Sequence, residues 1–469
     1  MKKYRLFCML VCISLILSTG SIPVWATPVN DMSIDNCSTI DAPSAYLGPD
    51  RLVEGVGSVF LYEKTSDTLM YAWNPDEPVY PSSIVKVLTA YMAVELGNPT
   101  DPVTVTEEVL AGVPFDAVTA ELQVGEQLTL EDLIYCMLVG SANDAASVIA
   151  AHIGGTEVAF VEKMNAFVQD LGCTGTVLKN PHGLHDPQQV STVRDLAKIV
   201  SAASENETFM TYLSTTEYVV PATNLSEERR LASKNFLMTQ SSVEIYYDSR
   251  VSGSRTGIAN DGSRCLASVA EDNGLKLVCI VMGAQDTFAE NGNTLVYGGF
   301  KETTFLLDTV FEGYGLVQVL YKGQSLRQCA VSGGDCDMVV GPTEAVSAIL
   351  PKGVGLDDLS FRYSNHADAA TAPVENGQNM GTVAVWYGSL CIAEADLCAL
   401  NSVSPDSDVI SHGKEQSNGS GVKRALTIIV LIVIIAICVF IGIRIWAKIR
   451  LDIQNGRSKK YRRDRRRSR

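Results

Sequence analysis

The sequence predicts an α+β protein: a sheet backed by a cluster of helices, followed by a small all-β domain and one C-terminal transmembrane helix. Three observations carry this. Strand-like apolar segments flank a helix-rich middle between residues 58 and 283. After residue 316 the texture changes to short valine-bearing segments between Gly, Pro and Asp turns. Residues 425–443 form 19 consecutive positions without a charge, long enough to span a bilayer.

Taken in order, Lys2, Lys3 and Arg5 precede the apolar residues 6–17, and Val24-Trp25-Ala26 offers small residues for cleavage, so residues 1–26 read as a secretory signal peptide. Residues 27–45 are a polar lead. A first domain, 46–315, opens with strands at 58–62 and 69–73 around the turn residues Ser66-Asp67, a hairpin pattern. Apolar positions at helical spacing then predict helices over 83–96, 130–139, 144–153, 157–171 and 193–203. Strands return at 264–269 and 275–283 around Asp272-Asn273-Gly274, and a helix over 303–312 closes the domain. The all-β domain, 316–401, holds strands near 317–321, 338–340, 346–350 and 382–387. A Ser/Asp/Gly/Asn-rich linker spans 402–424, the transmembrane helix 425–446 and a basic tail 447–469.

Charge divides by segment. Of the net −16, residues 444–469 contribute +10 and the first five residues +3, leaving −29 for residues 27–443. A region that acidic is not a nucleic-acid binder. The positive-inside bias puts the basic tail in the cytoplasm and the acidic part outside, where the tail's charge suits anionic lipid headgroups. Of 12 cysteines, Cys8, Cys12 and Cys438 belong to the two apolar ends. Cys329 and Cys336 flank a Ser-Gly-Gly-Asp turn, where a disulfide would fit, and the rest read as buried thiols. No C-x-x-C or Cys/His cluster has zinc spacing, so neither a metal nor a cofactor is expected.

Three short motifs carry the chemistry: Ser83-Ile84-Val85-Lys86, Ser141-Ala142-Asn143 and Arg255-Thr256-Gly257. Each alone is near background, since Ser-x-x-Lys recurs at Ser411 and Ser420 and Ser-x-Asn at Ser204 and Ser233. Context separates the copies. Ser83 opens an apolar run ending at Gly97, so it stands at a helix N-terminus with Lys86 one turn on, on the same face. A capping serine with a solvated lysine would not explain why Lys86 lies in so apolar a stretch. A serine hydroxyl needs a base, and Lys86 serves only if burial and a second cation, Arg255, lower its pKa. Ser141 is placed to relay a proton and Asn143 to hold Lys86 or a substrate amide. Arg255 and Thr256 on a strand would grip a carboxylate, with Gly257 letting a substrate backbone approach.

With these residues the chain resembles the serine-type D-alanyl-D-alanine carboxypeptidases, the low-molecular-weight penicillin-binding proteins, over roughly residues 45–401. Further support comes from residues 138–146 and from Asn180-Pro181-His182-Gly183-Leu184-His185-Asp186. The last is a marker of that family whose chemistry is not readable from the residues; His182 itself reads as a packing histidine. The resemblance implies a β-lactamase/transpeptidase-like fold with the family's C-terminal β domain. It also implies removal of the terminal D-alanine from peptidoglycan stem pentapeptides, with β-lactams as inhibitors. By it, Ser83 forms the acyl-enzyme, Lys86 accepts the proton, Ser141 and Asn143 complete the site and Arg255 binds the terminal carboxylate. Ile258 supplies a second oxyanion N–H. Two features depart from the family: Arg255 stands where Lys is usual, and a true span replaces the common amphipathic anchor. A β-lactamase, which would need a glutamate base that nothing marks Glu205 or Glu207 as being, and a catalytically silent peptidoglycan-binding protein are the alternative readings.

Overall fold

The computed structural model describes residues 47–48, 50–240, 244–290, 292–364, 367, 370–388 and 390–406. The expected signal peptide, lead, transmembrane helix and tail lie outside the described residues, as does the linker beyond residue 406. Among the described residues no helix is long and apolar enough to cross a membrane.

The first hairpin is β1 (Ser58–Glu63) and β2 (Thr68–Trp73). A 3₁₀ turn, Ser82–Ile84, leads into α1 (Val85–Leu96). Then follow β3 (Pro102–Thr104), α2 (Glu107–Ala111), β4 (Gln127–Thr129), α3 (Leu130–Leu138), α4 (Asn143–Gly154) and α5 (Glu157–Asp170). Next come α6 (Val193–Ala203), α7 (Glu207–Ser214), the small hairpin β5 (Glu217–Val220) and β6 (Arg229–Ala232), and β7 (Val251–Ile258). The strands β8 (Arg264–Asp272) and β9 (Leu275–Ala284) are followed by the two-residue pair β10 (Thr287–Phe288) and β11 (Leu295–Val296), then α8 (Gly298–Gly313).

The main sheet is antiparallel, ordered β2-β1-β9-β8-β7. Its strands are buried on both faces, and the residues alternate between two cores with the pleat period of two. Phe60, Tyr62, Val278 and Ile280 face Val193, Leu196 and Val200 of α6. Val59, Leu61, Leu277, Cys279 and Val281 face Phe300, Leu306, Leu307 and Val310 of α8. The helix α1 is apolar nearly all round because it lies between two cores: Val87, Ala90 and Ala93 join the first, while Val85, Leu88 and Met92 pack on Phe160, Met164 and Val168 of α5. That placement is why Lys86 is fully buried. The sheet leaves β7 at its edge, and β7 carries the third motif.

The expected helices over 83–96, 130–139, 144–153, 157–171 and 193–203 are present to within a residue or two. The helix expected at 303–312 starts earlier, at Gly298. A Cβ on Gly298 would sit 2.2 Å from the Gln285 carbonyl oxygen and one on Gly299 2.4 Å from Leu266. Close packing demands glycines there, and they hide the helical pattern.

The C-terminal β domain comprises β12 (Tyr314–Leu320), β13 (Arg327–Cys329), β14 (Met338–Pro342), β15 (Val346–Pro351), β16 (Leu359–Tyr363), β17 (Asn379–Tyr387) and β18 (Leu390–Ala399). One sheet runs β13-β14-β18-β17-β16, and β12 pairs with β15. Cys329 is buried in β13 and Cys336 exposed. By compactness the chain divides into two units. The first runs to Val331 and includes Asp337–Ala370 and Val374–Ser402. The second holds Ser332–Cys336, Thr371–Pro373 and, of the described residues, 403–406, with Ser332 bridged to Thr371 and Gly334 to Pro405.

Candidate active site

The 3₁₀ turn at the head of α1 is held in an unusual backbone state. Ser82 has φ +50°, which costs a residue with a Cβ of order 1 kcal/mol and is held by its surroundings. Its Oγ donates to the Ile258 carbonyl at 2.8 Å, tying the serine turn to the end of β7. Behind it, Gly183 (φ +81°) presses so close that a Cβ would meet the Ser82 carbonyl oxygen at 1.9 Å. Gly257 is equally constrained: its Cβ would fall 2.8 Å from Ser82 Oγ and 3.1 Å from Ser83 N. The glycine expected to admit a substrate backbone is thus also required by the serine turn itself.

Ser83 is half-buried, and Lys86 Nζ donates to its Oγ at 3.3 Å. The same nitrogen donates to Asn143 Oδ1 at 2.8 Å and to the His182 carbonyl at 2.6 Å. Among the described residues no carboxylate bonds it. Burial first, then the Arg255 charge, push the Lys86 pKa well below its ordinary value, against the opposing pull of Asp144. The segment 180–186 thereby acquires a physical meaning. Asn180 Oδ1 accepts from Gly183 N and its Nδ2 donates to the Leu184 carbonyl, so the turn is braced and presents the His182 carbonyl to Lys86. The His182 ring is buried, accepts from Leu184 N, and has a pKa pushed down to about 3 by burial and by Lys86. It is a neutral packing histidine.

Ser141, also at positive φ (+61°), lies between α3 and α4. Its Oγ accepts from Arg255 Nη2 at 2.6 Å. Arg255 Nη1 donates to the Leu138 carbonyl at 2.7 Å and Nε to the Ser83 carbonyl at 3.2 Å. The guanidinium is 6 % exposed, and burial lowers its pKa to about 10, so it stays cationic at neutral pH. Three of its five N–H groups therefore bond protein oxygens, and two are uncommitted among the described residues. Thr256 is half-buried and Ile258 exposed on the same edge strand. Ser83, Ser141, Asn143, Arg255, Thr256, Gly257 and Ile258 all line one cleft of about 440 Å³. The structure thus brings these sequence-derived candidates together at one cleft. Sequence reasoning did not single out Ser82, whose signal was only its place before Ser83, or Asp144. Neither Glu205 nor Glu207 lines the cleft; Glu205 pairs with Lys64 at 2.5 Å. No cluster of His, Cys, Asp and Glu capable of holding a metal occurs among the described residues.

A half-buried serine beside a buried lysine at a helix head, with an edge strand opposite, defines the class: a serine-nucleophile enzyme of mixed α/β fold with a C-terminal β domain. Comparison with known proteins narrows it. The D-alanyl-D-alanine carboxypeptidase family matches residues 54–286, and the C-terminal domain of penicillin-binding protein 5 matches residues 314–405. The D-alanyl-D-alanine carboxypeptidase DacA of Haemophilus influenzae is 29% identical over 351 residues, 73% of this chain and 84% of that protein. DacC of Escherichia coli is 26% identical over 73% of this chain and 83% of its own length. The solved structure of penicillin binding protein 5 from Haemophilus influenzae superposes with TM-score 0.61 at 27% identity, covering 76% of this chain and all of that one. The chain belongs to the D-alanyl-D-alanine carboxypeptidase family.

Proposed function

We propose that the chain trims the terminal D-alanine from peptidoglycan stem pentapeptides through an acyl-enzyme on Ser83. As a D-alanyl-D-alanine carboxypeptidase it is a serine peptidase acting on peptidoglycan, and acylation by β-lactams is typical of its family. Neutral Lys86 takes the Ser83 proton as the hydroxyl attacks the penultimate carbonyl. The N–H groups of Ser83 and Ile258 receive the oxyanion. Ser141 passes its proton to the leaving amine and regains one from Lys86, which returns to the neutral state, and the two uncommitted N–H groups of Arg255, with Thr256, favour the terminal carboxylate. Water then releases the shortened peptide. The observation that carries this reading is the Lys86 environment: fully buried, with no carboxylate partner among the described residues, and bonded to Ser83, Asn143 and the His182 carbonyl. Enzymes of this kind need a base poised near working pH, and this lysine is depressed towards it.

The 19-residue uncharged run followed by the +10 tail supports a single-pass protein at the cell membrane, anchored by its C-terminal helix, its catalytic domain outside and its tail in the cytoplasm. The test of function is release of D-alanine from a stem pentapeptide by the full-length chain. Release that is lost in Ser83→Ala supports the reading; release that persists in that variant overturns it.

A further inference from the structure

Asp144 follows the second motif, and none of the steps above uses it. It opens α4 and is 2 % exposed. Its carboxylate accepts from Ala120 N with both oxygens, at 2.9 and 3.1 Å, from Leu122 N at 3.1 Å, and from Ala145 N at 2.8 Å. A buried carboxylate that spends its lone pairs on backbone donors more than 20 residues upstream works as a fastener. Asn143 makes the companion bonds: its N–H and its Nδ2 both donate to the Val118 carbonyl, at 2.8 and 2.9 Å. Residues 118–122 are therefore strapped to the head of α4 at both ends. Just before the strap, Asp116 and Ala117 line the cleft and Phe115 stands fully exposed.

The strap reaches the chemistry through one amide. A carboxamide has a donor end and an acceptor end. With Nδ2 committed to Val118, Asn143 must present Oδ1 to Lys86, which is the observed 2.8 Å contact. Freed from Val118, the amide would be able to turn its NH₂ towards the amine and lose that hold.

We propose that Asp144 is a positioning residue for acylation. It clamps residues 118–122, the clamped Val118 carbonyl sets the Asn143 amide, and the amide holds Lys86 Nζ beside Ser83. The proposal rests on the reading of Ser83 as nucleophile and Lys86 as base. Charge adds a second consequence. Lys86 is faced by Arg255 on β7, by Asp144 on α4 and by the neutral His182 ring, while Asp144 also faces Cys136 on α3 and Arg229 on β6. Arg255 disfavours the proton on Lys86 and Asp144 favours it. Removing the Asp144 charge therefore leaves Lys86 neutral to lower pH.

The experiment is the second-order rate of acylation by a fluorescent penicillin, measured against pH on the full-length chain in detergent. Asp144→Asn is expected to lower the plateau rate about 10- to 100-fold and to move the acidic limb down by about half a pH unit or more. Asp144→Glu keeps the charge but misplaces the oxygens, so its plateau falls while the limb stays. A purely structural residue would lower only the fraction of chain that labels at saturation, leaving rate constant and limb unchanged; that result overturns the proposal, as does a wild-type profile in Asp144→Asn. If Asp144→Asn does not fold, Asp144→Glu carries the test alone through its plateau rate. A wild-type chain that takes no label on Ser83 overturns the acyl-enzyme reading itself, and the proposal with it.

Discussion

Cations are treated in opposite ways in two parts of this molecule. On the α8 side of the sheet, Arg250 bonds Asp248 through Nε and Nη2, reaches Asp308 as well, and lies over the Phe311 ring. Those partners, Asp248 first, hold its pKa above the ordinary range. In the cleft, Lys86 and Arg255 are buried together, each bonded to neutral oxygens, and burial pulls both pKa values down. One arrangement neutralises charge and serves stability. The other keeps charge poorly compensated, which is the condition for a lysine that can lose its proton and an arginine that still attracts an anion.

The contrast can be broken at several points. Ser83→Ala should remove covalent labelling by penicillin entirely and cut D-alanine release by more than about a thousandfold, with no change in folding. Lys86→Met should lower acylation by about 10²–10⁴-fold, the usual share of a general base, measured as a labelling rate. Arg255→Ala should cost about 10- to 100-fold in kcat/KM and, by removing a cation beside Lys86, should raise the Lys86 pKa, so the acidic limb moves to higher pH; Arg255→Lys should keep most activity and leave the limb near its wild-type place. A downward shift in Arg255→Ala would contradict the electrostatic account. Asp248→Ala should behave in the reverse sense, losing about 1–3 kcal/mol in chemical unfolding, since Arg250 is partly exposed, while the acylation rate stays unchanged.

The cleft was legible because its parts announce themselves. The helix under Ser83 shows in its apolar positions, and α6 was bounded correctly because Thr192 caps it through Asp195 N and its buried stripe is clear. The edge strand β7 was recognised by its motif more than by its pattern. Other elements carried no such mark. The strand β6 is Arg-Arg-Leu-Ala and half-exposed, α7 begins at an Asn206 cap inside a polar stretch, and β16 alternates but is only five residues long with no fully buried position. The segment 180–186 was visible only as a family marker, because it contributes a backbone carbonyl to Lys86 and a glycine's missing Cβ to the serine turn, neither of which a side-chain pattern encodes. Asp144 was hidden for a related reason: its partners are backbone N–H groups 22 and 24 residues upstream.

The most direct measurement is peptide mapping by mass spectrometry after brief exposure of the full-length chain to penicillin across the pH range. The account predicts a single penicilloyl adduct on Ser83, whose rate of formation rises through a pH well below that of an ordinary lysine and is lost in Lys86→Met. An adduct on another residue, or one on Ser83 that forms equally fast without Lys86, would contradict it.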